Sequence, residues 1–415
     1  MKLKKAMGYG MVAAASVLLL AGCGNSSTKS SSSGNSETLS FWYGGDADTA
    51  VKPIIKAFTK KTGIKVKVQS IPWSQYIDKT LTATASKSGP DLMVTGTTTM
   101  PNSVASKSLM DITSTVKSDQ ALNPNKFFAG SEATTKFNGK YYAVPWYVET
   151  RVLYYRKDLL KKVGYNHAPK TWAQLYDAAT KLSKRGKDMY GFNVDAAEPT
   201  FGFMFARQNG ATLLSGKKTQ FNQAPMVGAL KYLNKFVQNG ASPKQDLKLS
   251  IGQSFGGNGR VPMFISGPWM MQSVKTDAGL KSSQWGVAEL PKGKANNMSN
   301  TGGGNLSIFR YTKNKKNAMK LLKFMSNKEN QLKYYKTSTA MPTLKAAWQD
   351  KALSDTNIQV FRKQLNSSQP MPLIKQWDQI GQNYLKAWEQ IALNNASVQK
   401  TMDTFNQQTE QLLNK

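Results

Sequence analysis

Between residues 38 and 95 the hydrophobic pattern switches between the period of a strand and the period of a helix. A short apolar run at 38–43 is followed by 51–58, where the apolar residues recur on one helical face. At 64–68 apolar residues alternate with lysines, as in a half-buried strand, and a further helix (76–86) leads into a strand (92–95). Strands alternating with helices predict an α/β fold with parallel strands and crossover helices.

The same pattern restarts after the turn at Asn138-Gly139 and again after Gly302. The later strands are predicted at 152–155, 190–193, 261–265 and 306–309, and the later helices at 172–184, 225–238 and 315–325, with an almost wholly helical tail from Thr343. A chain of 415 residues with two such series is expected to form two domains.

Cys23 is the single cysteine of the chain, and it lies behind a basic start and a ten-residue apolar stretch, Met11 to Leu20. This is the layout of a secretory signal, and ten residues are too few to span a bilayer. The residues Leu20-Ala21-Gly22-Cys23 resemble a bacterial lipobox, in which the cysteine is lipidated, typically with palmitate, and the chain is cut before it. We therefore expect residues 1–22 to be removed and Cys23 to anchor the protein to the outer face of the cell membrane.

Residues 25–37 are mostly serine and contain no apolar side chain, so residues 23–37 are expected to form a flexible tether. The formal net charge of +32 raises the question of nucleic acid, but the lysines are scattered among helix-patterned residues and the chain is exported. Anionic cell-wall polymers and lipid head groups are the expected counter-charges, and nucleic acid is not. With one histidine and one cysteine, no metal site, cofactor motif or intrachain disulfide is predicted.

Five segments, in this order, resemble the extracellular solute-binding lipoproteins of ABC importers, in the sugar-binding branch that contains the maltose- and oligosaccharide-binding proteins. The segments are FWYGGD (41–46), GPDL (89–92), YAVPWYVETRVLYYRKD (142–158), MFISGPW (263–269) and TGGGNLSIF (301–309). The resemblance implies a two-lobed, periplasmic-binding-protein-like α/β fold of type II with a ligand cleft between discontinuous lobes. It also implies transport: a carbohydrate is captured outside the cell and delivered to the permease subunits.

Carried onto this chain, the resemblance implies crossings between lobes near 143–147, 300–304 and 348–354. One lobe then contains 38–144 and about 302–350, and the other contains 145–301 and about 351–415. Gly44 and Thr200 stand where the maltose-binding branch has larger residues, so maltose specificity does not carry over.

A sugar presents C–H faces, which aromatic rings cover, and hydroxyl edges, which carboxylates, amides and guanidinium groups bind. Trp269 follows Gly267-Pro268 after a predicted strand, where the family places a sugar-stacking tryptophan; a core position is its alternative. The residues expected to bind ligand are Trp42, Asp46, Thr97, Trp146, Glu149, Arg151, Glu198, Phe201, Trp269, Gly303, Gly304 and Trp377.

Several of these residues have a second interpretation. Trp42 fits a core position equally well, and Asp46 and Glu198 could cap helices. Glu149 and Arg151 could form an ion pair on a strand surface, and the glycines at 302–304 could serve as a hinge rather than as a close approach to ligand.

Two other classes of function compete with transport. A secreted glycoside hydrolase needs a pair of carboxyl groups at a set separation, and no spacing among Asp46, Glu149 and Glu198 favours one. A wall-polymer-binding surface lipoprotein would fit the positive charge and the anchor, but the repeats or separate binding module typical of that class are not visible in the sequence.

Overall fold

The computed structural model describes residues 38–414, apart from Asp46 and Lys217. The predicted signal segment, the lipidated Cys23 and the predicted tether lie outside these residues, as does Asp46. Within the described part of the chain, no helix has the length and apolar character needed to cross a bilayer.

Strands and helices alternate along the first part of the chain, and helices dominate its last part. In chain order the strands are β1 (Leu39–Gly44), β2 (Val66–Ile71), β3 (Leu92–Gly96), β4 (Lys136–Phe137), β5 (Lys140–Tyr141), β6 (Val144–Glu149), β7 (Val152–Arg156), β8 (Leu214–Ser215), β9 (Lys218–Thr219), β10 (Met263–Ser266), β11 (Trp285–Ala288), β12 (Ser299–Asn300), β13 (Gly302–Ile308), β14 (Met341–Pro342) and β15 (Ser368–Gln369).

The α-helices are α1 (Lys52–Thr62), α2 (Trp73–Ala85), α3 (Met100–Ala105), α4 (Thr113–Ser118), α5 (Ala129–Glu132), α6 (Lys157–Lys162), α7 (Trp172–Ser183), α8 (Phe201–Gln208), α9 (Ala224–Gln238), α10 (Ile251–Ser254), α11 (Met270–Asp277), α12 (Lys315–Ser326), α13 (Lys328–Ser338), α14 (Thr356–Leu365), α15 (Trp377–Ala392) and α16 (Val398–Leu413). Short 3₁₀ turns lie at Gln120–Leu122, Pro124–Lys126, Lys345–Gln349 and Lys351–Leu353.

The predicted start of the fold is confirmed in helix α1 and the strands beside it. Ile54, Ile55 and Phe58 are buried on one face of α1, as their spacing predicts. The helix ends at Gly63, which takes a left-handed conformation (φ 74°) and donates its N–H to the carbonyl of Thr59. The following strand β2 is half-buried because it forms one edge of the sheet.

A six-stranded sheet with the order β2-β1-β3-β13-β6-β14 forms one side of the molecule. β1 pairs in parallel with β2 and β3, as predicted, whereas β13 runs antiparallel to both β3 and β6. The parallel strands predicted from residues 38–95 are therefore confirmed, and the antiparallel direction of β13 was not predicted. β13 arrives from the other sheet at the edge where β3 ends, so it can only run back along its neighbours.

The second sheet has three strands in the order β10-β7-β11, and both pairings are antiparallel. The strand predicted at 190–193 is absent from the described structure. Asn193 still donates its N–H to the carbonyl of Met263, at 3.0 Å. However, Gly191 packs so closely on the main chain of Ala179 that a Cβ would collide with it, and the segment turns away from a regular ladder.

The chain passes from the first sheet to the second at Thr150–Arg151, between β6 and β7, and returns between Asn300 and Gly302. The boundary predicted between residues 144 and 145 falls inside β6, which belongs to the six-stranded sheet up to Glu149. β12 and β15 pair in parallel beside these crossings. After β14 the 3₁₀ turns at 345–353 lead to α14, which packs on the second sheet. The other lobe boundaries stay predictions.

Strand β7 supplies side chains to two separate hydrophobic cores. Val152 and Tyr154 lie in the core that also contains Val148 of the six-stranded sheet, whereas Leu153 lies in the core of helices α8, α9, α15 and α16. This division follows from the alternation of side chains across a strand. One of the two cores therefore continues from the first sheet to the second.

Candidate functional site

A cleft with a cavity volume of about 640 Å³ lies between the two sheets, beside the chain crossings. From the six-stranded sheet it is lined by the loop after β3, by the end of β6 and by the start of β13. From the other side it is lined by the segment before α8 and by the start of α15. Clefts of about 300–1,000 Å³ at the ends of α/β strands are the usual size and place of small-molecule sites.

Trp73 forms an aromatic wall of the cleft and is unusually exposed for its type, at 40%. It begins α2 directly after Pro72, and its indole is tilted against the buried ring of Tyr76, with centroids 5.0 Å apart. The indole occupies the space that Gly44 leaves open, since a Cβ on Gly44 would collide with it. The result is a fixed apolar surface that faces the cavity.

Arg151 is the central charged group of the cleft. Its Nη2 lies 3.6 Å from Oε2 of Glu198, and its guanidinium carbon lies 4.5 Å from the ring centroid of Trp269. Its Nη1 is buried with no hydrogen-bond partner among the described residues. A guanidinium that packs on an indole and lines the cleft is suited to binding a ligand oxygen.

Two carboxylates stand on either side of Arg151. Burial raises the pKa of Glu149, and the nearby Arg151 opposes that rise. Glu198 accepts hydrogen bonds from the N–H and the hydroxyl of Thr200, at 3.1 and 2.7 Å, through its other oxygen. One oxygen of Glu198 therefore holds the chain just before α8 and the other faces Arg151, while its role in ligand binding stays a prediction.

A narrow recess of about 60 Å³ opens behind Arg151, and it is lined by Trp269, Phe201, Asp195 and Ser266. Burial raises the pKa of Asp195, whose carboxylate also accepts the backbone N–H of Ala197. Trp269 is 39% exposed, so its ring is held by Arg151 on one face and is accessible from the solvent side.

The wall formed by α15 contributes Trp377, Asp378 and Gln382. Trp377 lies with its ring 5.0 Å from that of Phe203, so it lines the cleft while most of its surface packs in the core. The Oδ2 atom of Asp378 is buried with no partner among the described residues, and burial raises the pKa of this carboxyl group.

Near the crossings, the close packing of main-chain atoms shapes the cleft more than side chains do. Gly303 has φ +121°, and a Cβ there would collide with the carbonyl of Tyr147. Asn300 donates its amide to the hydroxyl of Thr200 at 2.8 Å, while its Oδ1 has no partner among the described residues. Asn300 lines both the cleft and the recess behind Arg151.

Comparison with known proteins identifies the family to which the chain belongs. Residues 43–332 match the family described as bacterial extracellular solute-binding protein. The chain belongs to this family. The resemblance predicted from the five segments is thereby confirmed.

Similar proteins support the same assignment. The chain is 26% identical to a galactooligosaccharide-binding protein of Bacillus subtilis, over 97% of this chain and 96% of the relative. It is 27% identical to a maltooligosaccharide ABC transporter solute-binding lipoprotein of Streptococcus pneumoniae, over 91% and 90%. The solved structure of the sugar-binding protein MalE from Xanthomonas citri matches with a TM-score of 0.84 and 28% identity, covering 91% of this chain and 97% of that one. The two-lobed fold predicted from the resemblance is therefore confirmed.

The structure of this solute-binding protein brings most of the predicted ligand residues to one place. The main cleft is lined by Thr97, Glu149, Arg151, Glu198, Gly303 and Trp377. Trp269 and Phe201 line the recess instead, and Phe201 is largely buried against Phe205, with ring centroids 5.1 Å apart.

Three predicted residues are not part of the cleft wall. Trp42 is a buried core residue, with the amine of Lys79 lying 5.2 Å from its ring centroid. Trp146 is fully buried and stacks on Tyr334, with centroids 4.2 Å apart, because it points to the core face of β6. Gly304 lies beneath the ring of Tyr147, which a Cβ there would approach to 2.5 Å, so this glycine supports a cleft residue rather than a ligand.

Sequence reasoning missed several cleft residues: Trp73, Tyr147, Asn300, Asp378 and Gln382. A signal existed for Trp73, since Pro72-Trp73 directly follows the carboxyl end of a strand, the edge at which the other cleft residues were expected. Tyr147 lies on the same face of β6 as Glu149, which was predicted to bind ligand, so the alternation of the strand could have identified it in place of Trp146.

Proposed function

We propose that this solute-binding protein captures a carbohydrate, and more specifically an oligosaccharide, in the cleft and delivers it to the permease subunits of an ABC importer. The lobes close over the ligand, which stabilises the closed form through its higher affinity for that form. The names of the similar proteins, which bind galacto- and maltooligosaccharides, support a sugar ligand for this chain.

The observation that carries the proposal is the placement of exposed indole rings and of charged side chains around one cleft and its adjoining recess. Trp73 and Trp269 present rings that suit the C–H faces of a pyranose. Glu149, Arg151 and Glu198 line the same cleft and offer charged groups to hydroxyls. A ligand with apolar faces and hydroxyl edges satisfies both sets at once.

The anchor belongs to the same proposal. Cys23 lies outside the described residues, so its lipidation rests on the lipobox sequence and on the relative that is named as a lipoprotein. Lipid attachment on the outer face of the membrane keeps the capture domain near the permease and raises its effective concentration there.

A thermal-shift panel of mono- and oligosaccharides tests the ligand class. A sugar present at one hundred times its Kd should stabilise the protein by about 2.7 kcal/mol. Chromatography of the incubated sugars is the control, because released products would indicate a hydrolase. A panel in which no sugar raises the Tm would contradict the proposal.

Replacement of the two exposed indoles tests the site. We expect Trp73→Ala to weaken sugar binding by about tenfold or more and Trp269→Ala to abolish measurable binding, because each removes a stacking surface. Since both rings are partly exposed, the Tm without sugar should change by only a few degrees. Calorimetric titration measures the affinity.

Leu81→Ala is the matched control, since Leu81 is an apolar residue of α2 with 43% exposure outside the cleft. It should leave affinity unchanged. If Trp73→Ala or Trp269→Ala unfolds the protein, or binds sugar like the unsubstituted chain, that tryptophan is wrongly assigned.

A further inference from the structure

The edge of the six-stranded sheet that lies opposite the cleft is strongly basic. The parallel strands β1, β2 and β3 all begin there, and the carboxyl end of β13 meets the start of β3, where Ile308 pairs with Leu92. The cleft instead lies at the other ends, at Gly96 and Gly302. Two groups of cations surround the starting edge.

The first group lies at the junction of α1 and β2. Lys60 and Lys61 occupy the last turn of α1, and Lys65 precedes β2. The carbonyl of Lys65 accepts the N–H of Leu39, the first residue of β1, at 2.9 Å. All three lysine side chains are exposed. The chain that comes from Cys23 therefore enters the sheet directly beside these lysines.

The second group surrounds the start of β3 and the end of β13. Arg310 donates its backbone N–H to the carbonyl of Ser108, which brings it beside Lys107. Lys313 precedes α12, and Lys315 and Lys316 are the first two residues of that helix. These five side chains are exposed, as is that of Lys87, which lies just before β3. We call the two groups together the basic edge. Its nine cations are Lys60, Lys61, Lys65, Lys87, Lys107, Arg310, Lys313, Lys315 and Lys316.

Negative charge is scarce at this edge. Asp91 is buried there and accepts hydrogen bonds from Thr312, Asn314 and Ser40. Asp111, which follows the hydrogen bond from Met110 to Ile308, is paired with Lys140 at 3.2 Å. None of the nine cations of the basic edge has an ion-pair partner within the described part of the chain. These cations therefore have no direct counter-charge within the described residues, and their field extends over about a Debye length, roughly 8–10 Å at physiological salt.

We infer that the basic edge is a docking surface for the anionic phospholipid head groups of the membrane that carries the anchor. Only the chain between Cys23 and Thr38 separates the anchor from this edge, which limits its distance from the bilayer to about 50 Å at full extension. Each lysine near an anionic surface contributes attraction, so a group of this size holds the edge toward the membrane reversibly. The cleft, at the opposite edge, then faces the medium from which sugar arrives.

The inference rests on the proposed function only for the anchor, and vesicle binding tests it separately. The mature chain, residues 23–415 with Cys23→Ala, carries neither an acyl group nor the basic, apolar signal segment. It is sedimented with phosphatidylcholine vesicles with or without about 30% phosphatidylglycerol. We expect binding to the anionic vesicles alone, and we expect it to be lost at high salt.

A charge-matched pair of variants then locates the surface. The edge variant replaces Lys60, Lys65, Lys313, Lys315 and Lys316 with Gln. The control variant replaces five exposed lysines of the other lobe with Gln, at Lys161, Lys162, Lys184, Lys231 and Lys235. We expect vesicle binding to fall at least about tenfold in the edge variant and less than about twofold in the control.

Equal losses in both variants would show that net charge alone acts, and would overturn the assignment of this edge. Binding to a phosphate-containing wall polymer without binding to anionic vesicles would overturn the assignment to lipid. Sugar-induced thermal shifts of both variants report that they are folded. If no sugar shifts any variant, the proposed function fails while the vesicle result stands on its own.

Discussion

Asp378 illustrates how a residue that lines the cleft lowers the stability of the free protein. Its Oδ2 is buried without a partner among the described residues, and burial raises the pKa of the carboxyl group. The folded state therefore holds the proton to higher pH than the unfolded state does. As the pH rises from the pKa of the unfolded state to the higher pKa of the folded state, the free energy of unfolding decreases. The loss is complete above the folded pKa.

We accordingly predict that Asp378→Asn stabilises the free protein at pH 7 by about 1 kcal/mol, because it removes a desolvated, unpartnered charge. The gain should shrink as pH falls toward about 4, where the aspartate protonates in both states. Urea unfolding at several pH values measures the difference. The same change should weaken sugar binding by about tenfold, since charge-assisted hydrogen bonds are lost.

Glu389→Gln is the matched control, since Glu389 is an exposed carboxylate on the same helix, α15. It removes the same charge without removing a buried group, so it should change neither stability nor affinity measurably. A loss of stability in Asp378→Asn at pH 7 would show that the carboxylate has a stabilising partner in solution.

Single residues also show where sequence reasoning reaches its limit. Trp146 and Tyr147 are neighbours on β6, so one must face the core and the other the cleft, and both are aromatic. Alternation puts Tyr147 on the same face as Glu149, so it identifies the cleft residue only once the side of Glu149 is known, because β6 is covered on both faces. Trp73 had the pattern of an ordinary helix start, and only the empty space at Gly44 makes its indole a cleft wall.

At the scale of elements, Gly303 links the sheet to the cleft. Its φ of +121° is open to glycine alone, and a Cβ would collide with the carbonyl of Tyr147 across the β13–β6 pairing. We predict that Gly303→Ala destabilises the protein by more than about 3 kcal/mol, because backbone strain and a main-chain clash act together. Thermal and urea unfolding measure the loss.

Gly63→Ala separates the two contributions. Gly63 also has a positive φ, 74°, but nothing lies within 4 Å of where its Cβ would be. Gly63→Ala should therefore lower the free energy of unfolding only by the strain of the left-handed conformation, about 1 kcal/mol. Equal losses at the two positions would mean that β13 shifts to relieve the clash.

Elements with strong local signals were predicted well, and those defined by distant contacts were not. Helix α1 has a helical apolar face and a glycine stop, and both are local properties of the sequence. The irregular course of 190–193 depends instead on the contact between Gly191 and the main chain of Ala179. The antiparallel direction of β13 depends on where the chain crosses between the sheets, which no local pattern records.

At the scale of the whole molecule, the described residues exceed the size at which a single core usually stops growing, about 250–300 residues. Two independently unfolding lobes would be the usual expectation. The core shared by the sheets argues otherwise, since Val148 of β6 and Val152 of β7 belong to one cluster. Separating the lobes would expose that cluster, so the lobes should unfold together.

We therefore predict one unfolding transition, with coincident midpoints by circular dichroism and by tryptophan fluorescence. Leu321→Ala removes volume from the shared core and Leu233→Ala from the core of the second lobe, and each should cost about 2–5 kcal/mol. If the molecule is cooperative, both substitutions lower the same midpoint for both probes. A Leu233→Ala variant that unfolds in two steps, with the first sheet intact after the first step, would show that the lobes are energetically independent and that closure joins two separate bodies.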